Sequence, residues 1–227
     1  MFGMVSESLI SKMNNGLTNL QNGLKGAESR YTILQERDKQ AQTALDNQKA
    51  TQSKNTTAQA TSSPISGFNK DESLLINEAK NQGASNTQIA YILGTAKHES
   101  DNFNTMTEYA SGSDYEGRQD LGNTQAGDGT KYKGAGYVQI TGRNNYDKYS
   151  KLTGLDLIGN PNLAKDPKTS AFITVNGILN GGFTGVKLSN YVNDNKTDFI
   201  NARRTVNGTD KAQLIANYAN DYLKKLK

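Results

Sequence analysis

Glu99 stands where a carboxyl group could act as an acid. Ile89, Ile92, Leu93 and Ala96 repeat at helical spacing, and Glu99 follows three residues later on the same face. A carboxyl that continues an apolar stripe at a helix end is partly desolvated, and desolvation disfavours the charged form. A carboxyl that is protonated near neutral pH can donate a proton to the leaving oxygen of a glycosidic bond. The competing reading is a Glu that simply emerges into water at the end of its helix. His98, beside it, faces a different way and reads as structural support for the loop below.

Such chemistry needs a second carboxylate. In an inverting reaction it activates water from roughly 6.5–9.5 Å away. The loop after the helix offers Asp101, Glu108, Asp114 and Glu116. Asp101 is too near in sequence to face Glu99 easily, whereas the chain up to Glu108 is long enough to turn back across a cleft. Spacing does not separate Glu108, Asp114 and Glu116. A second dense region runs from Gly127 to Tyr146. Its glycines allow close backbone approach to a ligand, and its Tyr, Gln, Thr and Asn side chains suit sugar hydroxyl and N-acetyl groups. A tight structural loop is the alternative. A dinucleotide-binding reading fails, because no βαβ unit surrounds these glycines.

These residues must be positioned by a mainly helical domain. Asp71 is a candidate cap for a helix carrying Leu74, Leu75, Ile76 and Ala79 and ending at Gly83. Ser85 or Asn86 caps the helix that ends at Glu99. A short extended run, Tyr137 to Ile140, follows the Gly-rich stretch. Further helices are expected over about 144–151, 169–180, 196–206 and 210–226. The fold class is therefore mainly α, with a small irregular or β lobe.

Two other segments precede this domain, which spans 67–227. Over residues 1–47, Ile10, Met13, Leu17, Leu20, Leu24, Ala27, Tyr31, Leu34, Ala41 and Leu45 follow alternating steps of three and four, with Asp38 as the one break. That is a coiled-coil stripe, buried only against another helix. Gly16, Gly23 and Gly26 each cost about 1 kcal/mol in a helix interior, so a partner helix would have to stabilise the arm. Folding back on its own domain is the alternative. Residues 48–66 are rich in Thr, Ser, Ala, Gln and Asn and read as a flexible linker.

Composition narrows the function classes. The net charge of +4 is spread evenly, with 7 Lys/Arg against 5 Asp/Glu over residues 1–66 and 19 against 17 over the remainder. No basic block marks a nucleic-acid binder. With no Cys and one His the chain is a poor candidate for a zinc enzyme, and no metal or other cofactor is expected. No apolar run reaches the roughly 20 residues of a membrane span. No secretory signal is read at the start.

The run Ala96-Lys97-His98-Glu99-Ser100, then Glu108, then Tyr132 to Tyr146 resembles glycoside hydrolase family 19, in its bacterial and phage members including endolysins. Asn160-Pro161-Asn162-Leu163-Ala164 with Asp166-Pro167, and Arg203-Arg204-Thr205-Val206-Asn207-Gly208, are similar to the family's downstream segments, in the same order. The resemblance covers about residues 68–226. It implies a lysozyme-like α-rich fold and an inverting mechanism, with Glu99 as general acid and Glu108 as base. It also implies that Thr141 holds the attacking water, that Tyr132, Gln139, Asn145 and Tyr146 line the substrate cleft, and that Arg204 steadies the carboxylates. Ala135 stands where the family usually has Arg, and Asp101-Asn102 where it usually has Gly-Gly.

The expected function is hydrolysis of the β-1,4 bonds of peptidoglycan glycan strands. The expected setting is a homo-oligomer or a larger phage particle, such as a tail, joined through residues 9–45. That places the enzyme on a virion, or delivered to the bacterial periplasm or cell wall. A chitinase and a non-catalytic wall-binding protein are the alternatives.

Overall fold

The chain divides into two units, Met1–Ala60 and Thr61–Lys227. The computed structural model describes residues 15–18, one turn of helix, and residues 64–227. Apart from residues 15–18, the coiled-coil arm expected from the sequence lies outside the described residues, as does nearly all of the linker.

The second unit is helical. Helix α1 (Lys70–Asn81) begins with a reciprocal cap: the Asn69 side chain accepts from the Glu72 N–H at 2.8 Å, and the Asn69 N–H donates to the Glu72 carboxylate at 2.8 Å. The cap is thus Asn69 and not Asp71, whose carboxylate instead accepts from the Tyr137 hydroxyl at 2.5 Å. Helix α2 (Asn86–Glu99) starts with the same device, built from Ser85 and Gln88. Every residue from Ile89 to Ala96 is buried, so α2 is the central helix of the domain. A side chain such as Ile92 or Leu93, fully buried there, contributes about 1.5–3 kcal/mol.

Four more helices follow: α3 (Asp128–Lys131), α4 (Arg143–Thr153), α5 (Pro167–Asn180) and α6 (Ala212–Lys225). Asp166 caps α5 by accepting from the Lys168 and Thr169 N–H groups, with Pro167 at the first helical position. α1 packs on α5, and α2 lies along α6. At Gly94 the backbones of α2 and α6 come so close that an added Cβ would sit 2.9 Å from the Ala219 nitrogen. Only a residue without a side chain allows that approach. Among the described residues no helix is long and apolar enough to cross a membrane.

The irregular lobe differs from expectation in two places. Tyr137 to Ile140 is a tight turn, not an extended run: Ala135 bridges Ile140 across it, and Gln139 takes a positive φ of 51°. Residues 196–206 form no α-helix. A two-residue hairpin joins β1 (Val192–Asn193) to β2 (Lys196–Thr197), and a 3₁₀ turn then spans Asn201–Thr205. Local side-chain bonds explain this. The Asn193 side chain accepts from the Asn195 N–H, and Asp198 accepts from the Asn201 N–H, so both pull the backbone out of helical geometry.

Candidate active site

Glu99 is the last residue of α2, and there the chain leaves the core. Beyond the capping residue Ser100, Asp101, Asn102 and Phe103 have φ of 49°, 57° and 66°. This left-handed stretch turns the loop sharply, and Gly would take it without strain. Asp and Asn tolerate it better than most residues. Phe103 is held there by its edge-on packing against Tyr137, with ring centroids 5.9 Å apart. The loop then returns along the turn beyond α3. Glu108 N–H donates to Gly134 O at 2.9 Å, and Thr107 bridges Ala135.

The return places Glu108 in the same groove as Glu99. One lobe of the groove, about 410 Å³, runs past Lys97, His98, Tyr109 and Tyr218. The other, about 380 Å³, runs past Tyr115, Thr141 and Asn207. Glu99, Glu108 and Gln139 line both lobes, so the two carboxylates stand at their junction.

The carboxylates have different surroundings. Glu108 accepts from the Tyr115 hydroxyl at 2.7 Å on Oε1 and from the Gly134 N–H at 2.9 Å on Oε2. A Cβ at Gly134 would lie 2.9 Å from that second oxygen, so the contact needs glycine. The hydrogen bond to Glu108 pushes the Tyr115 phenol above its usual range, with burial adding to the effect. Glu99 instead forms an ion pair with Arg203, whose Nη1 donates to Oε1. The Arg203 side chain is 3% exposed, and its Nε donates to Asp210 O at 3.0 Å. The apolar surroundings expected for Glu99 are thus interrupted by a buried cation.

The other candidates separate clearly. Thr141 lines the second lobe, and its hydroxyl donates to Gln139 O at 3.0 Å. Asn145 sits behind it and donates to Thr141 O at 2.8 Å. Tyr132 and Tyr146 do not line the groove. They are 0% and 1% exposed, pack ring to ring at 5.1 Å, and donate to Ile158 O and Lys133 O. Arg204 points outward and is exposed; the cation on Glu99 is its neighbour Arg203. Of the alternative second carboxylates, Glu116 accepts from the Gly127 and Gly129 N–H groups and braces the Gly-rich loop, and Asp114 is exposed outside the groove. Arg203 and Tyr115 were both missed. The only available signal was two adjacent arginines, and nothing in the sequence ties Tyr115 to Glu108.

The same loop is clamped from behind. The Asp128 carboxylate, almost fully buried, takes Arg143 Nη2 at 2.5 Å and Nε at 2.8 Å. The bidentate guanidinium holds Asp128 below the usual carboxylate range.

Among solved structures, the chain is similar to chitinase C from Streptomyces griseus HUT6037, at 17% identity and a TM-score of 0.56, over 72% of this chain and 86% of that one. It is also similar to a family GH19 class IV chitinase from Zea mays, at 20% identity and a TM-score of 0.51, over 74% and 87%. The fold is that of the GH19 chitinases. No family model matches the chain. The α-rich GH19 fold accounts for the long helices around α2 and for the small irregular lobe that carries Glu108. Ala135, the departure from the family's usual Arg, is 2% exposed and joins Thr107 to Ile140, an interior place that suits a short side chain.

Proposed function

We propose that this protein is an inverting glycoside hydrolase that cuts the β-1,4 bonds of peptidoglycan strands. The observation that carries the reading is the pair Glu99 and Glu108 at the junction of one groove, each held by different partners. Glu99 gives its proton to the leaving glycosidic oxygen. Glu108, oriented as an acceptor by Tyr115 and Gly134, takes a proton from water, and that water attacks the anomeric carbon from the opposite face. Thr141 lines the second lobe with both carboxylates, where its hydroxyl can hold the water. The proton lost by Glu99 leaves a carboxylate beside the Arg203 guanidinium, which stabilises the developing charge without having to move.

A chitinase is the second reading, because the solved structures that share the fold are chitinases. The expected placement of the domain on a phage particle rests on the heptads of residues 9–45. Full-length protein and its Glu99→Gln and Glu108→Gln variants should be tested on purified sacculi, with soluble products analysed by mass spectrometry. Clearing by wild type alone, with new glycan reducing ends of inverted configuration, is the expected result. Release of sugar from chitin oligomers but not from sacculi favours the chitinase.

A further inference from the structure

We propose that the lobe beside α6 is a subsite for an acidic sugar substituent, with Lys97 as its cation and Tyr109 and Tyr218 as its ring platforms. The proposal rests on the reading of the groove as a glycan cleft and names the feature that selects among glycans.

Lys97 precedes Glu99 by two residues, so the two side chains leave α2 about 200° apart. Glu99 meets Arg203, whereas Lys97 reaches toward α6. Its Nζ lies 4.7 Å from the centroid of the Tyr218 ring and 5.8 Å from that of Tyr222. The Lys97 ammonium has no ion pair or hydrogen bond among the described residues. It lines the same lobe as the two carboxylates, together with Tyr218. A cation resting on aromatic faces is oriented but not neutralised.

The acidic groups of the lobe are differently placed. Glu99 is paired with Arg203, and Glu108 is bonded to Tyr115 and Gly134. Asp101 is exposed at the rim. Lys97 is therefore the cation of this lobe whose charge no carboxylate answers. Tyr109 directly follows Glu108 and is 81% exposed, an aromatic face open to a sugar ring. The class of ligand follows from these groups. A neutral N-acetylglucosamine polymer offers Lys97 no counter-charge. A peptidoglycan strand carries a lactyl ether on every second unit, and its carboxylate is free wherever the stem peptide amide-linked to it has been removed.

The test uses full-length Glu99→Gln protein, which binds without turnover. Calorimetry compares two soluble tetrasaccharides, one alternating N-acetylglucosamine with N-acetylmuramic acid and one of N-acetylglucosamine alone. Lys97→Gln and Lys97→Arg are then added in the same background, with circular dichroism to confirm folding. We expect the acidic ligand to bind about fivefold more tightly than the neutral one. The preference should shrink at high salt, vanish in Lys97→Gln and survive in Lys97→Arg. Equal affinities, or a preference that Lys97→Gln leaves intact, overturn the subsite alone. Failure of folded protein to bind either glycan overturns the cleft reading, and the subsite with it.

Discussion

Replacing Arg203 with Met separates what the Glu99 ion pair does for the fold from what it does for the reaction. The Arg203 side chain is 3% exposed, and that of Glu99 is 21% exposed. Breaking a fully buried pair by removing one partner costs about 3–5 kcal/mol. Glu99 is open enough to regain some water, so the pair contributes nearer 2 kcal/mol here. Losing the Arg203 Nε bond to Asp210 O adds about 1 kcal/mol. A total near 3 kcal/mol leaves a domain of ordinary stability folded. The rate should suffer more, because the variant removes a preorganised charge at the acid: about 10²–10³ in kcat. Arg203→Lys keeps the charge but loses the fork that meets Glu99 and Asp210 together, and should fall between wild type and Met. Urea denaturation followed by circular dichroism gives the stability change, and reducing-end release from sacculi gives kcat. A folded Arg203→Met protein with kcat within about threefold of wild type would refute the argument that Arg203 stabilises charge on Glu99.

Three further expectations follow from single contacts. Tyr115→Phe deletes the hydroxyl on Glu108 Oε1 and should lower kcat about tenfold with little change in the urea midpoint; an unchanged kcat means that Gly134 alone orients the base. Gly94→Ala puts a methyl 2.9 Å from the Ala219 nitrogen, so overpacking should outweigh the gain in helix propensity and cost about 1–2 kcal/mol in a thermal melt, whereas a stabilised variant would show that α2 and α6 part easily. Asp128 is held below its ordinary value by Arg143, so its contribution is complete at neutral pH and fades as pH falls below about 4. Wild type should therefore exceed Asp128→Asn in stability at pH 7, with the gap closing toward pH 3; a gap that is constant with pH would rule out the ionised pair as its source.

The parts of the fold legible in the sequence were those set by near neighbours. Helix α2 follows from the spacing of Ile89, Ile92, Leu93 and Ala96, and of its two candidate caps, Ser85 and Asn86, Ser85 is the one used. That phase also put Glu99 at the groove, since a helix carries its direction forward by about 100° per residue. Glu108 could be named only through resemblance, because three carboxylates in the following loop, Glu108, Asp114 and Glu116, were equivalent by spacing. Asp71 was a reasonable cap by type, yet Asn69 has the backbone geometry and the reciprocal Glu72 contact.

What only the tertiary structure decided concerns residues whose partners are distant in sequence. Glu99 and Arg203 are 104 positions apart, and whether Arg203 or Arg204 faces the Glu99 carboxylate depends on how a short 3₁₀ turn is docked. No apolar period phases a segment of five residues. Tyr132 and Tyr146 carry the composition of a sugar platform, but their rings fill the space between the Gly-rich loop and α4. A tyrosine's type does not say which of its two ends meets protein. The strand expected at Tyr137 became a turn because Gly136 and Gln139 take positive φ and Ala135 pairs with Ile140. The position of the helix-borne carboxylate Glu99 was thus determined locally, while the cation on it, the donors on Glu108 and the walls of the groove were determined by packing across the whole domain.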